Sequence, residues 1–405
     1  MLSGAWAAAK ANPVLVVSAV LALASMAFAP PSPDYLDYID VPMLCILFCL
    51  MASVAGMSEC GLFAAASERM TSRAGSVRGL CLALVSAPFF GSMAMTNDVA
   101  LITFVPLAMA ALIRAGRKDL VMPVLILQTL AANLGSMATP VGSPQNLFIY
   151  SKYGADIGDF LSRTLPLVVA GGAAVFAACA LACKGGIPGT AKGAAPELDR
   201  RLLAAMAAVF VLGVLSVSGT VPFWLSLIVT LAVTLAVRPS ILRKVDYGLL
   251  LTFLFLFILI GNLSRLDQVV DLLGGLMERS PVLTTALASQ AVSNVPAAVM
   301  LSDFTSDWGG LLAGADIGGF GTPIASMASL ITFRLYAKGG DHRSKAFVAL
   351  FLASNFAVLG MLLGVDWILH PWRRSGCGGS FPACNGLRWG PRSLKDSPWL
   401  LCRTA

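Results

Sequence analysis

The chain has little charge, almost no histidine and no long polar stretch, and each shortage removes a class of protein. Asp, Glu, Lys and Arg together make up 12% of the 405 residues, about half the share in a soluble domain. The length would allow two soluble domains, but no polar block is long enough to form one. Only His342 and His370 occur, and no HExxH, GxSxG or phosphate-loop pattern is present, so an enzyme is not expected. The nine cysteines form no CxxC pair. Cys45/Cys49 and Cys179/Cys183 stand four apart inside apolar stretches and read as small core residues, with no metal site beyond a sodium ion expected. No cleavable leader is expected: only Lys10 precedes the first apolar run, and its weak A-x-A end at 27–29 leads straight into further membrane pattern. The net charge of +7 does not point to nucleic acid, because the bases lie in short loops between apolar runs.

What the chain has instead is apolar length. Hydrophobic residues make up 57% and the mean hydropathy is +0.81. Runs of roughly 17–25 apolar residues recur, each long enough to cross a hydrocarbon core. Charge orders them. Of the 28 lysines and arginines, 18 fall on one side of this layout: Lys10 and the loops at 69–78, 114–118, 184–201, 238–244 and 334–345. Four fall on the other side, where the loops at 34–40 and 303–307 hold Asp and no base. Short-loop bases mark the cytoplasm, so the amino terminus is expected inside, in a plasma (inner) membrane of prokaryotic type.

The resulting expectation is an all-α polytopic membrane protein with two inverted-topology repeats, about nine full spans and two re-entrant hairpins with broken helices. Residues 1–183 make the first repeat, spans 1–4, with a cytoplasmic-side hairpin at 80–113. Residues 184–201 are a Gly/Pro-rich cytoplasmic linker and 202–219 a connecting span. Residues 220–369 make the second repeat, spans 6–9, with an outside hairpin at 281–303. Span 2 is expected over 41–66, span 3 over 120–150 and span 8 over 311–333, the last two interrupted. The segment RLDQVVDLLGGLMERS reads as an interfacial amphipathic helix. Residues 370–405 lose the hydropathy and read as a disordered or non-native tail.

The interruptions repeat. NLGSMATPVGSPQNL (133–147) returns as DIGGFGTPIASMASL (316–330), and each is preceded by a polar break, TND (96–98) and SNV (293–295). Polar, Gly/Pro-broken segments at corresponding places in two halves are the best sequence pointer to a transporter binding site. Breaking a helix in hydrocarbon frees carbonyls, which with Asn, Ser and Thr oxygens can hold a hard cation. It also frees amides at helix amino termini, which attract anions. Thr96, Asn97, Thr139, Pro140, Ser293, Asn294, Thr322 and Pro323 are therefore the candidate substrate-binding residues. Asn97, Asp98, Asn133, Gly135, Ser136, Asn294, Asp316, Gly318 and Gly321 are the candidates for cation binding or coupling. Asp98 and Asp316 are intramembrane acids by this layout; Asp316 stands where the first copy has Asn133, and a helix-capping role is the alternative for it. Glu59 near the inner end of span 2 reads as interfacial. Gln145 and Asn146 face Ala328 and Ser329 in the second copy, so the two sites are expected to differ chemically.

TNDVALITFVPL followed by NLGSMATPVGSPQN, and SNVPAAVML followed by GGFGTPIAS, resemble the ion transporter superfamily over residues 40–369. That group includes citrate transporters, divalent-anion/sodium symporters, arsenite-pump membrane subunits and some sodium/proton antiporters. In the dicarboxylate symporters the tips read Ser-Asn-Thr and hold sodium and carboxylate; Asp98 and Val295 depart at the third position. The resemblance implies a secondary active transporter of a small anion, a carboxylate such as citrate or a dicarboxylate, coupled to sodium or protons by alternating access. An arsenite or other inorganic-anion permease and a sodium/proton antiporter are the alternatives, and a passive channel is the competitor from another class. No cofactor is expected beyond the coupling ion. The expected partners are the small anion and the lipid bilayer, with a homodimer left open.

Overall fold

The computed structural model describes residues 13–30, 35–72, 75–185, 198–338 and 344–370. Most of the linker and all of the tail after His370 lie outside these. Among the described residues the regular elements are helices. In chain order the main ones are α1 (Pro13–Ser25), α2 (Val41–Glu59), α3 (Leu62–Ser72), α4 (Val77–Gly91), α5 (Asn97–Arg114), α6 (Val121–Ser136), α7 (Pro144–Tyr153), α8 (Ile157–Ala182) and α9 (Arg200–Val217). The chain continues through α10 (Phe223–Val237), α11 (Tyr247–Leu263), α12 (Asp267–Arg279), α13 (Pro281–Val292), α14 (Asn294–Leu301), α15 (Trp308–Gly318), α16 (Met327–Lys338) and α17 (Ser344–Leu369).

Six helices among the described residues are long and apolar enough to cross a membrane, or seven if the bent pair α11–α12 counts as one. The protein is an all-α polytopic membrane protein. α1 and α10, at the places of spans 1 and 6, are shorter, while α5, expected as a hairpin arm, is itself long enough to cross. One boundary differs from the sequence reading. Span 2 does not continue to residue 66: α2 stops at Glu59, Gly61 turns the chain with φ +84°, and α3 leaves as a separate helix. The glycine takes the left-handed geometry that ends helices. Glu59 is then fixed by Arg238 at 3.2 Å and Lys244 at 3.1 Å, so the acid closes the end of α2. α12 turns 107° from α11; it sets Val269, Val270 and Leu273 on the core and leaves Leu272 and Leu276 exposed, the two-faced pattern expected of that segment.

Helix starts divide into two kinds. α2, α4, α8, α9, α11, α13 and α15 are capped by the side chains of Asp40, Ser76, Asp156, Asp199, Asp246, Ser280 and Asp307, each accepting a backbone N–H of the first turn. α5, α7 and α14 follow Thr96, Ser143 and Ser293, whose side chains make no such cap. Two contacts join the halves. Thr129 in α6 donates to Thr332 in α16 at 2.7 Å, and Lys152 at the end of α7 pairs with Asp303 beyond α14.

The halves pack alike. α4 lies against α6, and α13 against α15. A Cβ on Gly135 of α6 would collide with the Phe89 carbonyl and the Ser92 hydroxyl; one on Gly318 of α15 would lie 2.6 Å from the Ser289 hydroxyl and 3.0 Å from the Ala286 Cα. Ser92 and Ser289, and Phe89 and Ala286, stand at equal distances in sequence before Asn97 and Asn294. The same glycine thus lets the same arm approach in both halves.

Candidate functional site

Each tip begins with an asparagine that closes on its own helix. The Asn97 amide oxygen accepts the Asp98 N–H at 3.0 Å, and the Asn294 amide oxygen accepts the Val295 N–H at 3.0 Å. Both asparagines are 6% exposed, which puts polar side chains in the interior of an apolar bundle. The threonines of the repeated motif also act alike: Thr139 donates to the Met93 carbonyl at 2.5 Å and Thr322 to the Gln290 carbonyl at 3.1 Å. Their hydroxyls hold the tip backbone, so they position the hairpins. Pro140 starts a short 3-10 turn, and Gly321 takes φ +110° beside the Gln290 side chain. Pro323 sits in the matching turn of the second half.

Beyond this shared plan the tips diverge. At the first, the Asn97 amide donates to Asn133 Oδ1 at 2.8 Å, and Ser326 from the second half reaches the same oxygen at 3.4 Å. At the second, Asp316 does not hold Asn294. It receives Gln145 of the first half at 3.4 Å. Asn294 N–H instead donates to the Ala325 carbonyl at 3.0 Å. The two broken motifs therefore interlock: Asn133 meets Ser326, and Gln145 meets Asp316. Gly135, Ser136 and Gly318 are buried in the packing around them.

Gln290 was not singled out from the sequence, and it organises the second break. Its amide nitrogen donates to the Gly318 and Phe320 carbonyls, both at 2.9 Å, and its oxygen accepts the Thr322 N–H at 2.9 Å. One side chain thus replaces helix hydrogen bonds lost where α15 ends. The first half has Met93 at the corresponding place, which cannot do this. The unmatched amide beside SNV was the signal available in the sequence.

A cavity of about 160 Å³ borders the first tip. Its walls are largely apolar, from Leu50, Leu147 and Phe210 among others; Thr96, Asp98 and Ser143 supply its polar part, with Lys244 and Asp246 also lining it. Asp98 Oδ1 makes no hydrogen bond within the protein, and neither do Asn133 Nδ2, Ser143 Oγ, Asn146 Oδ1 or Asp316 Oδ2, all buried. Such atoms are uncommon in native structures, and a bound ion or water is one way to satisfy them. The stretches that build the site, from Arg78 to Arg114, Lys118 to Lys152 and Arg279 to Arg334, contain no base between those ends. Within these stretches positive potential comes from the amino termini of α5, α7 and α14, against Asp98 and Asp316, while Lys244 and Asp246 bring one charge of each sign to the cavity wall.

Residues 5–306 match the family model described as Citrate transporter. The chain is 30% identical over 319 residues to inner membrane protein YbiR of Escherichia coli, covering 76% of this chain and 82% of that one. It is 33% identical over 298 residues to an uncharacterized transporter of Methanocaldococcus jannaschii, covering 71% and 76%. A shorter match, 29% over 133 residues and 33% of this chain against 27% of the other, is to the silicon efflux transporter LSI3 of Oryza sativa subsp. japonica.

Proposed function

The chain belongs to the citrate transporter family, and from that premise we propose a secondary active transporter that carries a small anion by alternating access, driven by a cation. That it is an integral membrane transporter follows from the family and the helices. The finer reading is carried by one observation: two buried helix breaks, each opening a helix on an asparagine, interlock at one polar centre. The correspondence of their contacts supports two repeats, and the distribution of bases supports their inversion. Helix amino termini and amides suit an anion, while Asp98 and the free carbonyls suit sodium or a proton. The coupling role belongs to Asp98, because it combines a lone carboxylate with a place on the cavity wall. The family and its transporter-named relatives support reading the protein as a carrier.

The broken-helix stretches bring no base, and Lys244 on the cavity wall is already paired with Glu59, which favours a second substrate class. An inorganic oxyacid carried with little charge would meet two carboxylates with less repulsion than citrate, and a silicon transporter stands among the relatives. The test is uptake by purified protein in proteoliposomes of labelled citrate, succinate, arsenite and silicic acid, under an imposed sodium or pH gradient. Saturable, cation-dependent uptake of one class is expected, with the cation dependence flattened in Asp98→Asn. Equal, gradient-independent leakage of all four would contradict the reading.

A further inference from the structure

The cavity beside the first tip reaches a loop that carries both signs of charge. Thr96, Asp98 and Ser143 line it at the helix breaks, and Lys244 and Asp246, in the short loop between α10 and α11, line it as well. Asp246 lies within electrostatic reach of Asp98, so the loop and the tip act on one space. The rest of the wall is apolar, from Leu47, Leu50 and Val54 of α2 among others. Low-dielectric walls focus the field of the few charges they enclose. Two of those charges are carboxylates, which repel an anion. Lys244 is the one base on the wall among the described residues.

We propose that Lys244 is a specificity-determining residue of the transporter: it leaves Glu59 for an anionic oxygen of the substrate, and so selects anions over uncharged oxyacids. This role rests on the reading of the cavity as part of the transport path. The pairing permits the exchange. Glu59 Oε1 accepts Arg238 at 3.2 Å and Ser240 at 3.4 Å, while Lys244 approaches Oε2 at 3.1 Å. Departure of Lys244 therefore strands no charge, because Glu59 keeps the guanidinium and the hydroxyl. The Lys244 side chain is 54% exposed against 16% for Glu59. An ion pair to an exposed lysine is weak, and its flexible stem can turn.

The neighbouring charges are less free to move. Asp246 accepts the Leu249 N–H at 3.0 Å as the cap of α11, which fixes its carboxylate. Arg238 is shared between Glu59 and Asp199, the latter at 3.5 Å, and is not on the cavity wall. A carboxylate entering the cavity meets Asp98 and Asp246, and the Lys244 ammonium offsets part of that repulsion. Silicic acid, uncharged near neutral pH, meets no such repulsion and gains little from the offset. Residues 238–244 form one of the basic loops read as cytoplasmic, so Lys244 would act where the cavity meets that side.

The experiment is equilibrium binding of labelled citrate, succinate and silicic acid to the full-length protein in nanodiscs, at low and high ionic strength. Lys244→Gln should weaken citrate and succinate about tenfold and silicic acid far less, with the thermal midpoint unchanged. Lys244→Arg should keep most of the anion affinity. The loss in Lys244→Gln should shrink at high ionic strength. Glu59→Gln, which removes the competing carboxylate, should tighten both anions. Equal losses for all three ligands in Lys244→Gln, or unchanged anion binding, overturns the role. Looser anion binding in Glu59→Gln overturns the exchange and makes the pair a fixed support for the loop. A wild type that binds neither anion overturns the proposal as well. A wild type that binds the anions with this dependence on Lys244, but moves none of them in proteoliposomes, overturns the transport reading and leaves Lys244 as the selecting residue.

Discussion

In the first half of the molecule the helix break borders a cavity, and the residue facing it is an acid. In the second half the matching break is tied down by Gln290 and its third tip residue is Val295. Thr96 enters its helix with an ordinary φ of −64°, whereas Ser293 does so at φ +76°, a region that non-glycine residues rarely occupy. The same backbone plan has thus been made accessible in one half and rigid in the other. Internal repetition supplies a shared scaffold, and the departures from it supply the chemistry.

The hardest test of the shared scaffold is its glycines. Gly135→Ala puts a Cβ into the Phe89 carbonyl, which cannot move, and should cost about 3 kcal/mol or more; folded protein recovered by size-exclusion chromatography should fall sharply. Gly318→Ala meets the Ser289 side chain first, at 2.6 Å, so a second change, Ser289→Gly, should recover part of the loss. No pairing of that kind should rescue Gly135→Ala.

Next come the tips. Asn97→Ala and Asn294→Ala should each reduce uptake below about a tenth of wild type while leaving insertion intact, since each removes a buried amide from a shared centre. Full uptake by both variants at normal expression would remove them as ligands. A loss confined to one would mean that a single half does the binding.

Much of this was legible before the fold. The asparagines and the close-approach glycines stood at matching places in a sequence repeat, and repetition separates a site from ordinary polar packing. Gln290 and the Gln145–Asp316 contact were not legible. Alignment of one copy on the other shows which positions differ, but a contact between copies depends on how the halves cross. The end of span 2 differs for a simpler reason: Ser58, Glu59 and Gly61 make only a short interruption between two apolar runs, and the positive φ of Gly61 turns the chain there.

The stapling of the second break predicts a difference in stability. Gln290→Met installs the residue of the first half and strands the Gly318 and Phe320 carbonyls and the Thr322 N–H. About 3 kcal/mol should be lost, read as a lowered thermal midpoint. Replacing Met93, which holds no such bonds through its side chain, by Leu should change it by less than about 1 kcal/mol. Equal effects at the two positions would break the comparison.

The smallest expected effect lies in the backbone. Ser293→Gly should stabilise by about 0.5–1 kcal/mol, because relief of the positive φ exceeds the added freedom of glycine in the unfolded chain. Thr96→Gly should destabilise by a similar amount, having no strain to relieve. Chemical denaturation of the two variants side by side reads both signs.

Alternating access requires the interlocked breaks to move substrate uphill. Proteoliposomes loaded with the substrate found in the uptake panel, at equal concentration inside and out, are given an inward sodium or proton gradient. The internal concentration should rise above the external one and return when an ionophore dissipates the gradient. An internal concentration that stays at equality throughout, as a passive pore would give, would contradict alternating access.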